Sequence, residues 1–331
     1  MRENSAQEAG WQWLAQTKLE NSELGHGTAG LPLPNGETEQ AAIAARPCLE
    51  ASSCLASKRA FPVSFELAPT RDGTRIAYTL HGDKTAKNRA VLVHSVAMDR
   101  EFWRPVAERL APKATVLTYD CRGHGASDKP GGPYTVELYA DDLAELMDHV
   151  GWPTALVAGA SMGGMVSLAF ASIYPERTAA LGLIDTTAWY GPDAAKSWAE
   201  RADKAMREGL GSLVPFQTTR WFGDAFRAEH PDVVMRCIEV FLRNDIGAYG
   251  EACRMLGRAD LRSALPRLKM PTAVVVGEED YAAPPAMAEA LHRGIAGSTY
   301  KVLSKARHLT PLELPDVIAA ELAALMARIP Q

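Results

Sequence analysis

The stretch Leu156-Val157-Ala158-Gly159-Ala160-Ser161-Met162-Gly163-Gly164 carries the strongest chemical signal in this chain. A short apolar run, read as a strand over residues 155–158, leads into G-x-S-x-G and then into a helical pattern over residues 162–173. Small residues are needed where a strand turns abruptly into a helix, because neighbouring chain segments pass close by. Such a turn holds its serine under backbone strain and lifts the hydroxyl clear of the sheet. It also sets the Met162 N–H at a helix N-terminus, where a developing negative charge is stabilised. G-x-S-x-G alone is a common accident; between a strand and a helix it marks Ser161 as a nucleophile.

Outward from this point the chain alternates. Apolar runs at residues 90–94, 115–119, 180–184, 272–276 and 299–303 have the length and continuity of strands buried on both faces of a parallel sheet. Helical patterns lie between and after them, at 100–110, 136–150, 285–292 and 315–327. Residues 63–67 and 75–80 read as a hairpin around Asp72-Gly73. The alternation predicts an α/β fold with helices on both faces of a mostly parallel sheet. No strand is expected between Asp185 and Lys269. That interval is helical and rich in Trp, Phe and Arg, and predicts a lid over residues 189–264 inserted between two strands. The expected organisation is an α/β core at 61–188 and 265–331 and a loosely structured appendage at 1–60.

A nucleophilic serine needs a base and an acid. Of the eight histidines, His26, His81, His149, His230 and His292 read as solvated. His124 sits in the tight loop Asp120-Cys121-Arg122-Gly123-His124-Gly125-Ala126-Ser127 and reads as structural, with Asp120 and Arg122 bonding backbone. His308 follows the last strand and so reaches the carboxyl end of the sheet, where sites on open α/β sheets form. It is the expected base, with His94 as runner-up. Asp280, just past the strand 272–276, is the expected acid, in the chain order serine, acid, histidine. Asp185 is the second candidate, and Glu278 and Glu279 are near enough to compete. The loop His94-Ser95-Val96-Ala97-Met98-Asp99 is expected to supply a second oxyanion donor, the Val96 N–H, beside that of Met162.

Composition closes off other classes. The 331 residues are 47% hydrophobic and 23% charged, with a net charge of −5, so no broad basic surface for nucleic acid is implied. No run of 18 apolar residues predicts a membrane span. The five cysteines are scattered with no C-x-x-C, which disfavours a disulfide framework or a thiolate zinc site and suits a reducing cytoplasm. Residues 1–60 lack the apolar core of a signal peptide. Gly25-His26-Gly27-Thr28-Ala29-Gly30 spells G-x-G-x-x-G without the strand before it and helix after it that a dinucleotide site needs. No metal or other cofactor is expected.

These residues together resemble the α/β-hydrolase superfamily from about Phe61 to Leu325, with His308-x-x-x-x-Glu313-x-Pro315 adding to the pattern. Within it the chain is most similar to the 3-oxoadipate enol-lactonases. The likeness is carried by the 94–99 loop, Ser161-Met162-Gly163-Gly164-Met165, Pro175-Glu176-Arg177, Asp185-Thr186-Thr187-Ala188, Arg220-Trp221-Phe222, Tyr249 and Arg258-Ala259-Asp260-Leu261-Arg262. The resemblance implies hydrolysis of a small ester or lactone through an acyl-enzyme. The lid is expected to supply pocket walls from Trp189, Tyr190, Trp198, Trp221 and Phe222, some of these aromatics being ordinary lid core, with Arg220 meeting a substrate carboxylate or pairing on the surface. The chain departs from the pattern in its appendage, in Arg307 where the superfamily usually has glycine, and in Trp189 where enol-lactonases tend to carry arginine. That last change predicts a less charged substrate. Rival readings are a carbon–carbon bond hydrolase, a perhydrolase or haloperoxidase activity, and a ligand-sensing receptor using the same pocket.

Overall fold

The computed structural model describes residues 64–330, so the 1–60 appendage and its glycine motif lie outside the described residues. Eight strands form one sheet in the order β1-β2-β4-β3-β5-β6-β7-β8. They are β1 Glu66–Pro69, β2 Arg75–His81, β3 Arg89–Val93, β4 Thr115–Tyr119, β5 Ala155–Ala160, β6 Thr178–Ile184, β7 Thr272–Gly277 and β8 Thr299–Leu303. β2 pairs antiparallel with β1 and with β4; every other pairing is parallel. The apolar runs that suggested buried strands are almost wholly buried in β3, β4, β5 and β7. Helices cover both faces there, so no polar alternation is needed.

Three expectations shift. Of the first hairpin strand, expected at 63–67, residue 63 lies outside the described residues; the strand runs Glu66–Pro69, up to the turn at Thr70–Thr74 that sets its register. There the Asp72 carboxylate accepts from the Thr70 hydroxyl and the Thr74 N–H, and Gly73 takes φ +86°. The helix expected at 100–110 is broken into a 3-10 turn, Arg100–Trp103, and helix α1, Arg104–Leu110. Pro105 has no N–H to continue the ladder, so it opens a new helix. β8 is an edge strand with only Leu303 buried, not a strand covered on both faces.

The remaining core helices are α2 Val136–His149, α3 Met162–Ile173, α9 Pro285–Gly294, α10 Thr310–Glu313 and α11 Pro315–Met326. Between β6 and β7, which are neighbours in the sheet, lie five helices: α4 Ala194–Glu208, α5 Val214–Trp221, α6 Asp224–Glu229, α7 Pro231–Leu242 and α8 Ile246–Arg258. This insertion opens and closes on an isolated antiparallel bridge between Trp189 and Asp260, the one strand-like pairing in an interval expected to have none. The Leu261 N–H donates to the Ala188 carbonyl at 2.9 Å beside it. Among the described residues no helix is long and apolar enough to cross a membrane.

Candidate active site

The order of strands reverses at β3 and β5, and the crevice beyond their carboxyl ends is the natural site of an open α/β sheet. Val93 and Gly159 are register partners there, so the loop after β3 and the turn after β5 emerge side by side. The glycines of that turn are dictated by crowding. A Cβ on Gly159 would lie 2.0 Å from the Gly163 carbonyl oxygen, and one on Gly163 would lie 2.1 Å from that of Val93. Between them Ser161 takes φ 56°, ψ −118°, a left-handed conformation that a serine adopts only under constraint. The constraint is visible: the Ser161 N–H donates to Ile184 at 3.0 Å, and its carbonyl accepts from the Thr186 hydroxyl at 2.7 Å.

The result is a hydrogen-bonded line of three side chains. His308 Nε2 lies 2.9 Å from Ser161 Oγ, and His308 Nδ1 lies 2.8 Å from Asp280 Oδ2. The other Asp280 oxygen accepts from the Ala282 and Ala283 N–H groups at 2.7 and 2.9 Å, which fixes the carboxylate's angle. All three side chains are buried. The Met162 N–H opens α3, and Val96 stands in the loop after β3, where Ala97 takes φ 61°. Neither N–H donates a hydrogen bond among the described residues. Asn244, which follows α7, donates to the Ala97 carbonyl at 2.9 Å and ties that loop to the insertion.

The competing candidates have other partners. Asp185 is fully buried; one oxygen accepts from the Gly277 N–H, the other from the Thr310 N–H and hydroxyl. Burial and nearby Asp280 push its pKa well above the carboxylate range. His94 donates from Nδ1 to the Ser95 carbonyl and accepts the Cys121 N–H at Nε2, so it shapes the loop after β3 and does not meet Ser161. His124 lies edge-on to it with ring centroids 5.0 Å apart. Glu278 is occupied by Ser304 and the Lys305 N–H, and Glu279 by Arg307. Asp120 does bond backbone, at Arg100 and Ala126, whereas the Arg122 side chain pairs with Asp142 and Asp72. Among the histidines read as solvated, His81 bonds the Thr118 hydroxyl and His292 stacks on Tyr300.

The walls expected from the insertion divide. Tyr190 has its hydroxyl within hydrogen-bonding reach of Ser161, and burial pushes its pKa far up. Its ring meets Trp198 edge-on at 5.2 Å. Trp221 and Phe222 are buried: Trp221 sits against Phe241, and Phe222 stacks on Phe226 at 5.0 Å. Trp189 lies at the base of the insertion under the Arg262 guanidinium, 3.6 Å from its ring centroid, and that guanidinium is paired with Asp260.

Sequence reading missed Arg201. Read along α4 it is one more charged residue on a polar helix, yet Ala202 and Ala205 beside it are fully buried. Its Nε donates to the Tyr249 hydroxyl at 2.7 Å, and its guanidinium lies over Trp198 at 4.9 Å. Among the described residues no carboxylate stands within ion-pair distance of it. Burial opposes its charge, but Tyr249, Cys253 and Tyr190 more than offset this and raise its pKa. Arg220, over the Phe216 ring at 4.0 Å, is drawn down to about 9 by burial and by the like charge of Arg201, with Asp280 acting the other way. Tyr190, Arg201 and Arg220 are each half-buried, and the interaction of Tyr190 with Ser161 and Arg201 and of Arg220 with Asp280 and Arg201 places them together near the reacting centre. No group of three or more His, Cys, Asp or Glu able to hold a metal occurs among the described residues.

Comparison with known proteins places the fold. Residues 91–315 match the family model described as alpha/beta hydrolase fold. A 3-oxoadipate enol-lactonase of Acinetobacter baylyi is 31% identical over 72% of this chain and 88% of its own. The crystal structure of an enol-lactonase from Burkholderia xenovorans superposes with a TM-score of 0.76 at 33% identity, over 79% of this chain and all (100%) of the other. A thermophilic esterase from Thermogutta terrifontis, solved with malate bound, superposes with a TM-score of 0.76 at 30% identity, over 81% of this chain and 100% of its own. A sheet that reverses order at β3, a strained serine between β5 and α3 and a matched family model over most of the chain have one reading: the protein belongs to the α/β-hydrolase family.

Proposed function

We propose that this chain hydrolyses a small carboxylic ester or lactone through an acyl-enzyme on Ser161. The observation that carries the proposal is the line Ser161–His308–Asp280, at 2.9 and 2.8 Å. His308, with Nδ1–H directed at Asp280, accepts the Ser161 proton at Nε2 as Oγ attacks the substrate carbonyl carbon. The carbonyl oxygen gains the charge and is met by the Val96 and Met162 N–H groups. Collapse of the tetrahedral adduct breaks the C–O bond, and His308 returns the proton to the departing oxygen; in a lactone that oxygen stays tethered to the acyl group. Water then attacks the acyl-enzyme with the same base and frees Ser161. Every proton moves between side chains, substrate and water, so no cofactor enters. The helical insertion serves as the lid.

The cations near Ser161 favour an anionic substrate over the less charged one that Trp189 suggested. Trp189 is engaged with Arg262, whereas Arg201 is a half-buried positive charge partnered by a phenol and an indole face. A partly desolvated charge gains from a counter-charge, and a substrate carboxylate would supply one.

The test compares 3-oxoadipate enol-lactone with neutral aryl esters and lactones on wild type, Ser161→Ala and Arg201→Met. We expect rapid stoichiometric acylation of wild type by a fluorophosphonate, and loss of turnover in Ser161→Ala down to on the order of 10³–10⁴ over water. Arg201→Met should lower kcat/KM for the acidic lactone by roughly ten- to hundred-fold, the worth of one charge-assisted bond, and leave neutral esters within a few-fold. Undiminished hydrolysis by Ser161→Ala would refute the nucleophile. Better turnover of neutral substrates by wild type would return the reading to a less charged one.

A further inference from the structure

Arg307 stands directly before His308, and its side chain leaves that loop for the helical insertion. Nη1 donates to the carbonyls of Thr219 at 2.7 Å and Phe222 at 3.1 Å, on either side of Arg220. The same guanidinium pairs with Asp224 at the start of α6 at 2.9 Å and with Glu279, next to Asp280, at 3.3 Å, while its face lies 5.3 Å from the Tyr281 ring. Two backbone ties run parallel to it. The Leu309 N–H donates to the Trp221 carbonyl at 3.0 Å, and Glu313 accepts both the Arg307 and the Gly223 N–H at 2.9 Å.

The last turn of a helix leaves carbonyls without intrahelical partners and carries partial negative charge. α5 ends at Trp221, and a buried cation from outside the helix supplies what its own chain does not. A glycine at 307 would leave these carbonyls to find other donors. We infer that Arg307 is a positioning residue for substrate specificity: it caps α5 from the histidine loop and so fixes Arg220 relative to Ser161 and His308. This rests on the hydrolase reading above. It adds that the insertion is held to the reacting centre through the residue beside the base, so that loosening this cap degrades recognition before it degrades the chemistry.

The experiment uses the full chain with Arg307→Gln and Arg307→Lys. It measures KM and kcat for whichever ester or lactone the wild type turns over best, the labelling rate of Ser161 by a small fluorophosphonate, and the melting temperature. Loss of recognition should raise KM about tenfold in Arg307→Gln, with the labelling rate within about threefold of wild type. Arg307→Lys, a cation without the fork, should recover part of the KM. Adding Arg220→Gln to Arg307→Gln should raise KM less than the product of the single changes, because both act through one group. An unchanged KM would overturn the proposal, as would KM and labelling deteriorating together or full additivity. If Arg307→Gln does not fold, Arg307→Lys alone decides, by whether KM moves apart from labelling. A wild type that neither labels nor turns over any ester would overturn the hydrolase reading itself, and this inference with it.

Discussion

At the scale of single residues the site separates two buried aspartates that the sequence left as rivals. Asp280 bonds the imidazole; Asp185 holds the ends of two loops together through three donors. Asp280→Asn should lower kcat by on the order of 10⁴, because the amide favours the wrong tautomer of His308. Asp185→Asn turns an N–H toward one of its present donors. It should cost about 1–3 kcal/mol of stability and much less in rate; parallel kcat and melting measurements rank the two, and the opposite order would exchange their roles. His94 and His124 give a second residue-level expectation. Burial holds the pKa of His94 down to about 4 and that of His124 down to about 3, the charges of Arg100 and His94 respectively adding to the effect. Unfolded, both take up a proton near pH ~6.5. Groups whose folded pKa is depressed in this way favour the fold while neutral and oppose it once the unfolded chain can protonate. Stability should therefore fall as pH drops from about 6.5 toward 4, by roughly 2 kcal/mol per histidine at pH 5. Denaturant titrations of wild type and His124→Gln at pH 7 and 5 would show it, the variant losing less. Ser161, Asp280 and His308 were legible because their types, order and loop positions are local facts of the sequence. Arg201 was not, because nothing in one helix tells whether a cation faces water or a recess built by two others.

Among elements, the best-read ones are those whose sequence requirement is steric. The turn from β5 to α3 must have glycine where a carbonyl lies 2.0–2.1 Å from an added Cβ, and the sequence has it there. The alternating runs identified β3, β4, β5, β6 and β7 because strands buried on both faces leave an unbroken apolar signature. β8 was placed correctly in sequence but wrongly in environment, since an edge strand and a central strand of five residues look alike until their neighbours are known. The aromatic pair Trp221-Phe222 leaves pocket wall and ordinary core of the insertion both open in sequence for the same reason: helical spacing shows that a side chain is buried, not what it is buried against. Phe222 is fully buried on Phe226 and Trp221 packs on Phe241. Phe222→Ala should therefore act as a core deletion, costing about 3–5 kcal/mol. Guanidinium unfolding should report that loss, whereas a variant of normal stability with a raised KM would make Phe222 a contact of the substrate.

For the molecule as a whole, the hydrolase fold was legible from the 155–164 segment together with the order of strands and helices. The packing of the inserted helices was not, because they meet through contacts far apart in sequence. One feature of that insertion reaches beyond any single substrate. The chain leaves the sheet at Trp189 and re-enters at Asp260, and those two residues are bridged, with Ala188 and Leu261 bonded beside them. The two ends of the excursion are therefore clasped whatever lies between. With the ends fixed, closing a flexible stretch between them costs only about 0.6 kcal/mol more for each doubling of its length, so what decides the stability of the excursion is the packing of its helices. The clasp gives the excursion a hinge-free footing: its entry and exit are set at residues 189 and 260, so substitutions among the residues between them act on Ser161, Asp280 and His308 through side-chain contacts and not through a slip of the strands, and selectivity is open to change by single exchanges on a fixed base.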